Sequence, residues 1–389
     1  MRVLTLDTEV SCLKLDAKNL NGNPFAEVNK LCYVGLQLDE EYEDFCIEYK
    51  DEPYGDALRC IQQRITDADC IVLFNAKFDL HWLRRYGIEV GTKRIYDCQI
   101  AEFILQYQEN AYPSLQQCCE KYGLPGKLDV VKEQYWKAGL DTEQVPEDIL
   151  REYLKQDVQQ TYAVYLAQQS IIPDTKRRLI SLANQDLLAL LDIERNGMLY
   201  DVDLSLTEGN EAQKKIDEID QKLKEEIGFP DFNPGSGDHI SAVLYGGSIK
   251  TSRQVLIGTY KTGQKAGQPK YKWEDELIPF EQLVKPLKNS ELKKEGYYAT
   301  NSETLVSLKA TGKAKKIIAL LLERSTLEKL VGTYLHGLPR LIQEQGWSDN
   351  MIHGNLNQCV AITGRLSSSK PNMQNLDKSI AYLFRSRYD

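Results

Sequence analysis

The chain has 389 residues, of which 42% are hydrophobic and 27% charged, and its formal net charge is −9. That length predicts a globular protein of two or three domains, and no apolar run approaches the roughly 20 residues that span a membrane. Nine cysteines without a CxxC pair and only four histidines favour neither a disulfide framework nor a zinc site, so we expect reduced thiols and a cytoplasmic protein.

The charge is unevenly distributed along the chain. Residues 1–174 contain 18 basic and 30 acidic residues, whereas residues 250–316 contain 14 basic and 7 acidic residues. An acidic N-terminal region suits the binding of metal ions, and a basic central region suits the binding of a polyanion. Two solvated surfaces of opposite sign would give the same counts, so the charge alone leaves both interpretations open.

Strands and helices alternate in the first 174 residues. Alternating β-branched and apolar residues predict strands at 2–9, 31–38, 44–49 and 70–75. Helical spacing predicts helices at 56–65, 76–87, 114–123 and 147–170. This order predicts an α/β fold in which helices flank one mixed sheet.

The remainder of the chain is predicted to be mainly helical. Pro173 marks the first boundary, and helices are expected at 175–197, 208–228 and 312–342, the last disturbed by Pro339. Residues 250–300 contain many lysines and glycines but few apolar residues, which predicts an insertion of hairpins and loops.

Four acids and one tyrosine stand out by their positions in these elements. Asp7 and Glu9 are two residues apart on the first strand, so both side chains share one face. Asp79 falls where a strand becomes a helix. Tyr153 and Asp157 are four residues apart on a helix, so they also share a face.

Such a set suits phosphodiester hydrolysis assisted by two divalent cations. Two ions about 4 Å apart can activate water and neutralise the leaving oxygen, and oxygen ligands suit Mg²⁺ or Mn²⁺. Each piece alone also fits a simpler interpretation: a solvated strand edge, a helix N-cap or a helical packing pair. Their combination, in this order, favours the metal site.

The strings LDTE, NAKFD and YLKQD resemble the three motifs of the DEDD 3′–5′ exonucleases, whose domain is ribonuclease H-like. The tyrosine of YLKQD places the chain with the tyrosine subgroup. The resemblance implies that Asp7, Glu9 and Asp157 bind one metal ion and that Asp7 bridges to a second, which Asp79 supports. It also implies that Tyr153 orients the attacking water. Asn75 is expected to fix either the helix start or the substrate strand, and Asp97 to cap a helix.

A second resemblance appears near the end of the sequence. TGRLSSSKPNMQN, at residues 363–375, resembles the entrance to the palm of family A DNA polymerases. It implies that Arg365 lies in the minor groove, whose acceptors depend little on sequence. Further polar contacts with DNA are implied for Asn357, Asn372, Gln374 and Asn375. A serine-rich loop before a turn is the simpler interpretation.

Upstream segments agree with the family A resemblance. ERSTLEKLVGTYLHGLP, at residues 323–339, resembles the thumb helix that packs on the duplex backbone. The backbone-contact candidates there are Arg324, Lys329, Thr333 and Tyr334. The sequence LYGG at residues 244–247 and the basic segment after it resemble bacteriophage members, which would place the protein in a bacterial host cytoplasm.

The sequence contains neither the DYSxxE-like nor the HDE-like string that carries the polymerase carboxylates in this family. The resemblance therefore implies an exonuclease domain at 1–174, a thumb-like region at 175–350 with a basic insertion at about 250–300, and an incomplete palm at 351–389. We expect single-stranded 3′ ends and primer–template duplex as ligands. A second polypeptide is expected to supply the rest of the polymerase, and a processivity factor is a possible partner.

Two alternatives to a proofreading polymerase subunit stay open. A free-standing 3′–5′ exonuclease acting on DNA or RNA would carry the same acids but would not need the thumb-like and palm-like segments. A non-catalytic DNA-binding scaffold would need neither the acids nor a metal ion. Metal-dependent nuclease activity and a preference for DNA over RNA separate the three.

Overall fold

The computed structural model describes residues 1–11, 13–14, 20–50, 55–126 and 130–387. Packing divides the chain into two compact units. The first comprises Met1–Val202 and Leu338–Asp389, and the second comprises Asp203–Gly337. No helix in the described parts of the chain is long and apolar enough to cross a membrane. The three predicted functional domains, 1–174, 175–350 and 351–389, stay predictions.

Residues 1–202 supply most elements of the first unit. Its strands are β1 (Val3–Val10), β2 (Leu13–Lys14), β3 (Leu20–Asn21), β4 (Leu31–Leu38), β5 (Glu41–Cys46), β6 (Cys70–Leu73), β7 (Arg94–Asp97) and β8 (Met198–Tyr200). Its helices are α1 (Ala57–Asp67), α2 (Ala76–Arg85), α3 (Cys98–Leu105), α4 (Leu115–Tyr122), α5 (Val130–Gln134), α6 (Glu147–Ile171) and α7 (Asp174–Asn196). Short 3₁₀ turns lie at Trp136–Ala138 and Thr142–Gln144.

Five of these strands form one sheet in the order β5-β4-β1-β6-β7. β4 is antiparallel to both β1 and β5, whereas β1, β6 and β7 run parallel. Both strands next to β1 are buried along their whole length, as expected for the middle of a sheet covered on both faces. The predicted α/β fold with a mixed sheet and flanking helices is confirmed.

The long helix α7 belongs to the core of the first unit. Its residues Ile180, Leu187 and Leu191 are buried in the same apolar cluster as the strands of the sheet. α7 begins directly after Pro173 and ends before Gly197, which has a φ of 57°. Both predicted boundaries of this helix are therefore found in the structure. α7 therefore packs with the exonuclease-like part of the chain, although its sequence was grouped with the thumb-like region.

The second unit is built from helices and one long hairpin. Its elements are α8 (Val202–Ile227), α9 (Gly237–Tyr245), β9 (Gly247–Thr259), β10 (Pro269–Phe280), α10 (Ser302–Ser307), α11 (Gly312–Lys329) and a π-helical segment at Leu330–Leu335. Leu223, Phe232, Leu244 and Ile317 lie in its apolar core. The insertion predicted near 250–300 begins as the β9–β10 hairpin.

The C-terminal segment returns to the first unit. It contains α12 (Gly337–Gln345), β11 (Met351–Ile352), β12 (Asn355–Asn357), β13 (Ser367–Ser369), β14 (Phe384–Arg385) and 3₁₀ turns at Met373–Asn375 and Lys378–Leu383. β11 and β14 both pair with β8, and β12 pairs with β13. The palm-like motif therefore forms a small hairpin on the exonuclease-like unit.

Two sequence predictions of local structure are corrected, and one strand was missed. β5 is Glu41–Cys46 rather than 44–49, because a tight turn at Asp39, with a φ of 55°, reverses the chain at once. β7 was not predicted as a strand. Pro339 does not break a helix: it lies in the first turn of α12, where a missing N–H is tolerated, and the interruption is the preceding π-helical segment.

Candidate active site

Three carboxylates meet at one face of the central strand β1. Asp7 and Glu9 are two residues apart on β1, so the pleat directs both to the same side. Asp157 comes from α6, and one carboxylate oxygen of each of the three residues lies within 4.8 Å of the others. Glu9 and Asp157 are buried and Asp7 is half-buried. Negative charges brought this close repel one another unless a cation lies between them.

A glycine allows α6 to approach the sheet at this point. Gly35 on β4 pairs directly with Asp7 in the sheet register. A Cβ atom at Gly35 would lie 2.8 Å from Cγ of Leu154 and 3.0 Å from Cγ2 of Val158, both on α6. Val158 follows Asp157 in the sequence, so the close approach at Gly35 sets the distance between Asp157 and Asp7.

Tyr153 lies one helical turn before Asp157 on α6. It is 7% exposed, and its ring meets the Trp136 ring edge-on with the centroids 5.9 Å apart. Val131, Leu150 and Leu154 belong to the same apolar cluster. Packing therefore fixes the ring of Tyr153, and the helical spacing places it on the face that carries Asp157.

Asp79 lies outside the group of three carboxylates and is held by a residue that sequence analysis missed. The hydroxyl of Thr8 donates a hydrogen bond to Oδ1 of Asp79 at 2.6 Å. Asp79 is 2% exposed in the first turn of α2, and burial raises its pKa to about 7 although the Thr8 hydrogen bond lowers it. No local spacing in the sequence pairs Thr8 with Asp79, which lies 71 residues later.

The start of α2 is capped by Asp97 rather than by Asn75. Asn75 has a left-handed φ of 62°, and its side chain makes no capping hydrogen bond. Asp97 instead accepts from the backbone N–H of Ala76 at 2.7 Å. Asp97 also accepts from the N–H groups of Gln99 and Ile100, so its predicted role as the cap of α3 is confirmed. Of the two roles expected for Asn75, contact with the substrate strand stays a prediction.

A buried ion-pair network joins α2 to α7 and β12. Nζ of Lys77 donates to Oε1 of Glu194 at 2.5 Å and to the carbonyl of Leu356. Nε2 of His81 lies 2.9 Å from Oε2 of Glu194. Burial raises the pKa of Glu194, but the His81 hydrogen bond and the Lys77 charge outweigh it, so this pKa is lowered. The helix that carries Asp79 is thereby anchored to the C-terminal segment.

A cavity of about 420 Å³ opens beside the start of α2. Its walls include aromatic and amide side chains: Asn75, Phe78, Trp347, His353 and Asn357. The rings of Phe25 and His353 stack there with centroids 4.1 Å apart. Within the described residues, Nδ1 of His81 and Nε1 of Trp347 are buried without a hydrogen-bond partner. Flat rings and polar groups of this kind suit a nucleobase.

Comparison with known proteins identifies the chain as a relative of DNA polymerases. The family described as a predicted 3′–5′ exonuclease related to the exonuclease domain of PolB matches residues 75–197, and DNA polymerase family A matches residues 276–387. The DNA polymerase I of Synechocystis is 28% identical over 312 residues, which are 78% of this chain and 27% of that relative. The chain is therefore similar to a part of the family A DNA polymerases.

Two further similarities extend over nearly the whole chain. The DNA polymerase of Bacillus phage SP01 is 24% identical over 397 residues, which are 93% of this chain and 40% of the phage protein. The polymerase domain of M. smegmatis Pol1, solved with primer–template DNA and dNTP, has a TM-score of 0.64 at 16% identity and covers 98% of this chain. This chain spans less than half the length of both curated relatives.

The candidate DNA contacts on the thumb-like helix differ in their exposure. Lys329 and Thr333 are exposed, whereas Tyr334 is 8% exposed. Arg324 is bound within the second unit, with Nε 2.6 Å from Oδ1 of Asp220 and Nη1 2.8 Å from Oε2 of Glu328. These acids engage Nε and Nη1 of Arg324, and its contact with DNA stays a prediction.

The palm-like candidates lie on and beside the β12–β13 hairpin. Nδ2 of Asn357 donates to Oγ of Ser369 at 3.0 Å across the hairpin. Arg365, Asn372 and Gln374 are exposed, with Oδ1 of Asn372 accepting from the backbone N–H of Gln374. Asn375 is also exposed, at the end of the same 3₁₀ turn. These residues present polar groups to solvent, and their contacts with DNA stay predictions.

Proposed function

We propose that this chain removes nucleotides from the 3′ end of DNA, the proofreading activity of a family A polymerase. The observation that carries the proposal is the meeting of Asp7, Glu9 and Asp157 within 4.8 Å on a buried strand–helix scaffold. Tyr153, one helical turn from Asp157, adds the group that the tyrosine subgroup uses. The matched exonuclease family, at residues 75–197, supports the same activity.

The donor set fits two divalent cations of the Mg²⁺ or Mn²⁺ class. All donors are carboxylate oxygens, which such hard cations prefer over softer metals. Asp7, Glu9 and Asp157 would hold one ion, and Asp7 would share the second with the support of Asp79. When bound, the ions would lower the pKa of the attacking water and neutralise the charge that develops on the phosphate.

The protein side chains orient the hydrolysis. Tyr153 would hold the attacking water through its phenol, whose ring is fixed against Trp136. Water attacks the terminal phosphorus, the bond from phosphorus to the 3′ oxygen of the preceding nucleotide breaks, and that oxygen takes up a proton. The products are a nucleoside 5′-monophosphate and a strand shortened by one residue with a free 3′ hydroxyl.

The cavity beside α2 offers a place for the frayed 3′ end. Asn75 and Asn357, both proposed DNA contacts, line it together with Phe78, which is one residue from Asp79. Aromatic rings stack on bases of any sequence, and amides bond to their edges. An unpaired base therefore fits this cavity, whereas a base pair in a duplex could not present its face to the rings.

The wider role in replication is also a proposal. A second polypeptide that supplies the fingers and the remaining palm is a proposed partner for primer extension, and a processivity factor is a further proposed partner. The same proposal includes duplex contacts at Arg324, Lys329, Thr333, Tyr334, Arg365, Asn372, Gln374 and Asn375. Action in the bacterial cytoplasm, as a bacteriophage protein, is part of the same proposal.

The test uses a 5′-labelled primer–template, Mg²⁺ and all four dNTPs with the chain alone. Stepwise shortening that disappears in Asp7→Ala and is slowed in Tyr153→Phe is expected. Asp174→Asn, an exposed acid at the start of α7, serves as the matched control. Primer lengthening by the chain alone would contradict the need for a second polypeptide.

Two rival functions give different results in the same assay. A ribonuclease would shorten an RNA primer at least as fast as a DNA primer of the same sequence. A scaffold would bind the duplex but leave both primers intact in Mg²⁺ and in Mn²⁺. The thumb-like and palm-like segments favour DNA, since a free-standing ribonuclease has no use for them.

A further inference from the structure

The β9–β10 hairpin carries a surface that the proposed exonuclease site does not use. Its strands, Gly247–Thr259 and Pro269–Phe280, pair over nearly their full length. The half near the body of the second unit is neutralised by ion pairs: Lys250 with Asp275 at 2.7 Å and Arg253 with Glu276 at 3.4 Å. The outer half of the hairpin, residues 255–273, differs from it in both charge and composition.

The outer half is basic in an acidic protein. Residues 255–273 contain four lysines and no acid, although the whole chain has a net charge of −9. These lysines are Lys261, Lys265, Lys270 and Lys272, and no acid in the described parts of the chain lies within ion-pair distance of them. All four are exposed. Unpaired like charges repel one another, and a polyanion relieves that repulsion.

Large apolar side chains share one face of the same half. Tyr271 pairs with Leu256 across the ribbon, and Trp273 follows two residues later, so alternation places the three side chains on one face. Their exposed fractions are 52%, 59% and 64% in that order. Lys270 and Lys272 alternate with the two aromatic residues, and long lysine side chains can extend past the edges of a ribbon only two strands wide.

We propose that the outer half of the hairpin binds single-stranded DNA. Bases would stack on Tyr271 and Trp273, while the lysines would neutralise the phosphates along the ribbon edges. A duplex would use the lysines but hide its base faces from the aromatic side chains. A protein partner would use the apolar face but would not need four lysines free of acids. Only a single strand uses both features.

The test measures the binding of a labelled 20-nucleotide oligo(dT) by fluorescence anisotropy. The parent protein carries Asp7→Ala, and the buffer contains EDTA, so that the outcome does not depend on nuclease activity. Trp273→Ala and Tyr271→Ala are each expected to weaken binding by about tenfold. Lys270→Gln is expected to reduce the salt dependence of binding by about 0.7 in the log–log slope.

Matched controls come from the inner half of the same hairpin. Leu277 is 67% exposed on the same face, and Lys250 is already paired with Asp275. Leu277→Ala and Lys250→Gln should leave the affinity for oligo(dT) within about twofold. If Leu277→Ala weakens binding as much as Trp273→Ala, or if Trp273→Ala has no effect, stacking of bases on this face is excluded.

Two further measurements separate a single strand from a duplex. A 20-base-pair duplex should bind with an affinity that Trp273→Ala does not change, and a result in which both DNA forms depend equally on Trp273 would overturn the proposal. An oligonucleotide containing 5-iodouracil should crosslink on irradiation to a peptide that contains Tyr271 or Trp273. Crosslinks that form only outside residues 255–273 would also overturn it.

Discussion

The carboxylate site of the first unit and the hairpin of the second unit bind charge in opposite ways. Asp7, Glu9 and Asp157 are packed between a sheet and a helix, and two of the three are buried. The lysines of residues 255–273 are exposed on a two-stranded ribbon. Buried charges interact strongly because little water screens them, whereas exposed charges act through many small contributions.

This difference predicts how each region responds to substitution. In the buried site, replacement of a single side chain should abolish most of the activity, because the neighbouring side chains cannot move to compensate for its loss. On exposed surfaces, each side chain should change affinity modestly and in a salt-dependent way. The largest expected effects therefore lie in the first unit, near the carboxylates and the network that supports them.

The largest effect is expected for Asp157→Asn. The amide keeps the volume of the carboxylate but removes a negative ligand, so exonuclease turnover should fall by about three orders of magnitude, as expected for several kcal/mol of lost transition-state stabilisation. The rate of release of labelled mononucleotide checks it. Because the variant also removes like-charge repulsion, its free energy of unfolding without metal should not fall. A rate within tenfold of the wild type would refute the assignment.

The next effect concerns stability rather than chemistry. Glu194→Ala leaves Lys77, only 18% exposed in its side chain, without its ion-pair partner, and should lower the free energy of unfolding by about 3–5 kcal/mol. Asp192→Ala removes a carboxylate that is 62% exposed and paired with Arg84, and should cost less than about 1 kcal/mol. Denaturant titration of both variants gives the comparison. Equal effects would show that burial of the network is unimportant.

Sequence reasoning found the acids of the site because local spacing determines their directions. Asp7 and Glu9 share a face on any strand, and Tyr153 and Asp157 share a face on any helix. The strand–helix order also predicted the mixed sheet. The packing of α6 against β1 brings the pair on the strand close to the pair on the helix. No local pattern in a single sequence indicates which segments pack together in this way.

The missed residues are those whose partners are distant in the chain. Lys77 and Glu194 are separated by 117 positions, and Thr8 and Asp79 by 71. Fixing the start of α2 was one of two roles expected for Asn75, but Asp97 performs it, because its carboxylate accepts from the N–H of Ala76, 21 residues earlier. The ion pair of Arg324 with Asp220, on another helix 104 residues earlier, was likewise not predicted.

A moderate effect is expected for Gly35→Ala, which tests the approach of α6 to the sheet. The added Cβ would lie 2.8 Å from Leu154, so α6 must shift, and overpacking of this kind costs about 1–3 kcal/mol. The shift should also raise the Mg²⁺ concentration needed for half-maximal nuclease activity. The double variant with Leu154→Ala removes the nearest contact and should restore that concentration in part, because the contact with Val158 at 3.0 Å remains. If the Mg²⁺ concentration is not lowered in the double variant, the packing at Gly35 does not determine the position of Asp157.

The smallest effect is expected for Arg365→Ala on the exposed palm-like segment. Loss of one cationic contact should weaken duplex binding about fivefold and lower the log–log salt slope by about one, uniformly across sequences. Lys214→Ala, an exposed cation on α8 with no proposed DNA contact, is the control. Anisotropy with a primer–template duplex in EDTA isolates binding from cleavage. A side chain in solvent has no fixed partners to lose, so its removal should change the affinity only modestly. A loss of duplex affinity of about three orders of magnitude in Arg365→Ala would therefore contradict the expected difference between buried and exposed charges.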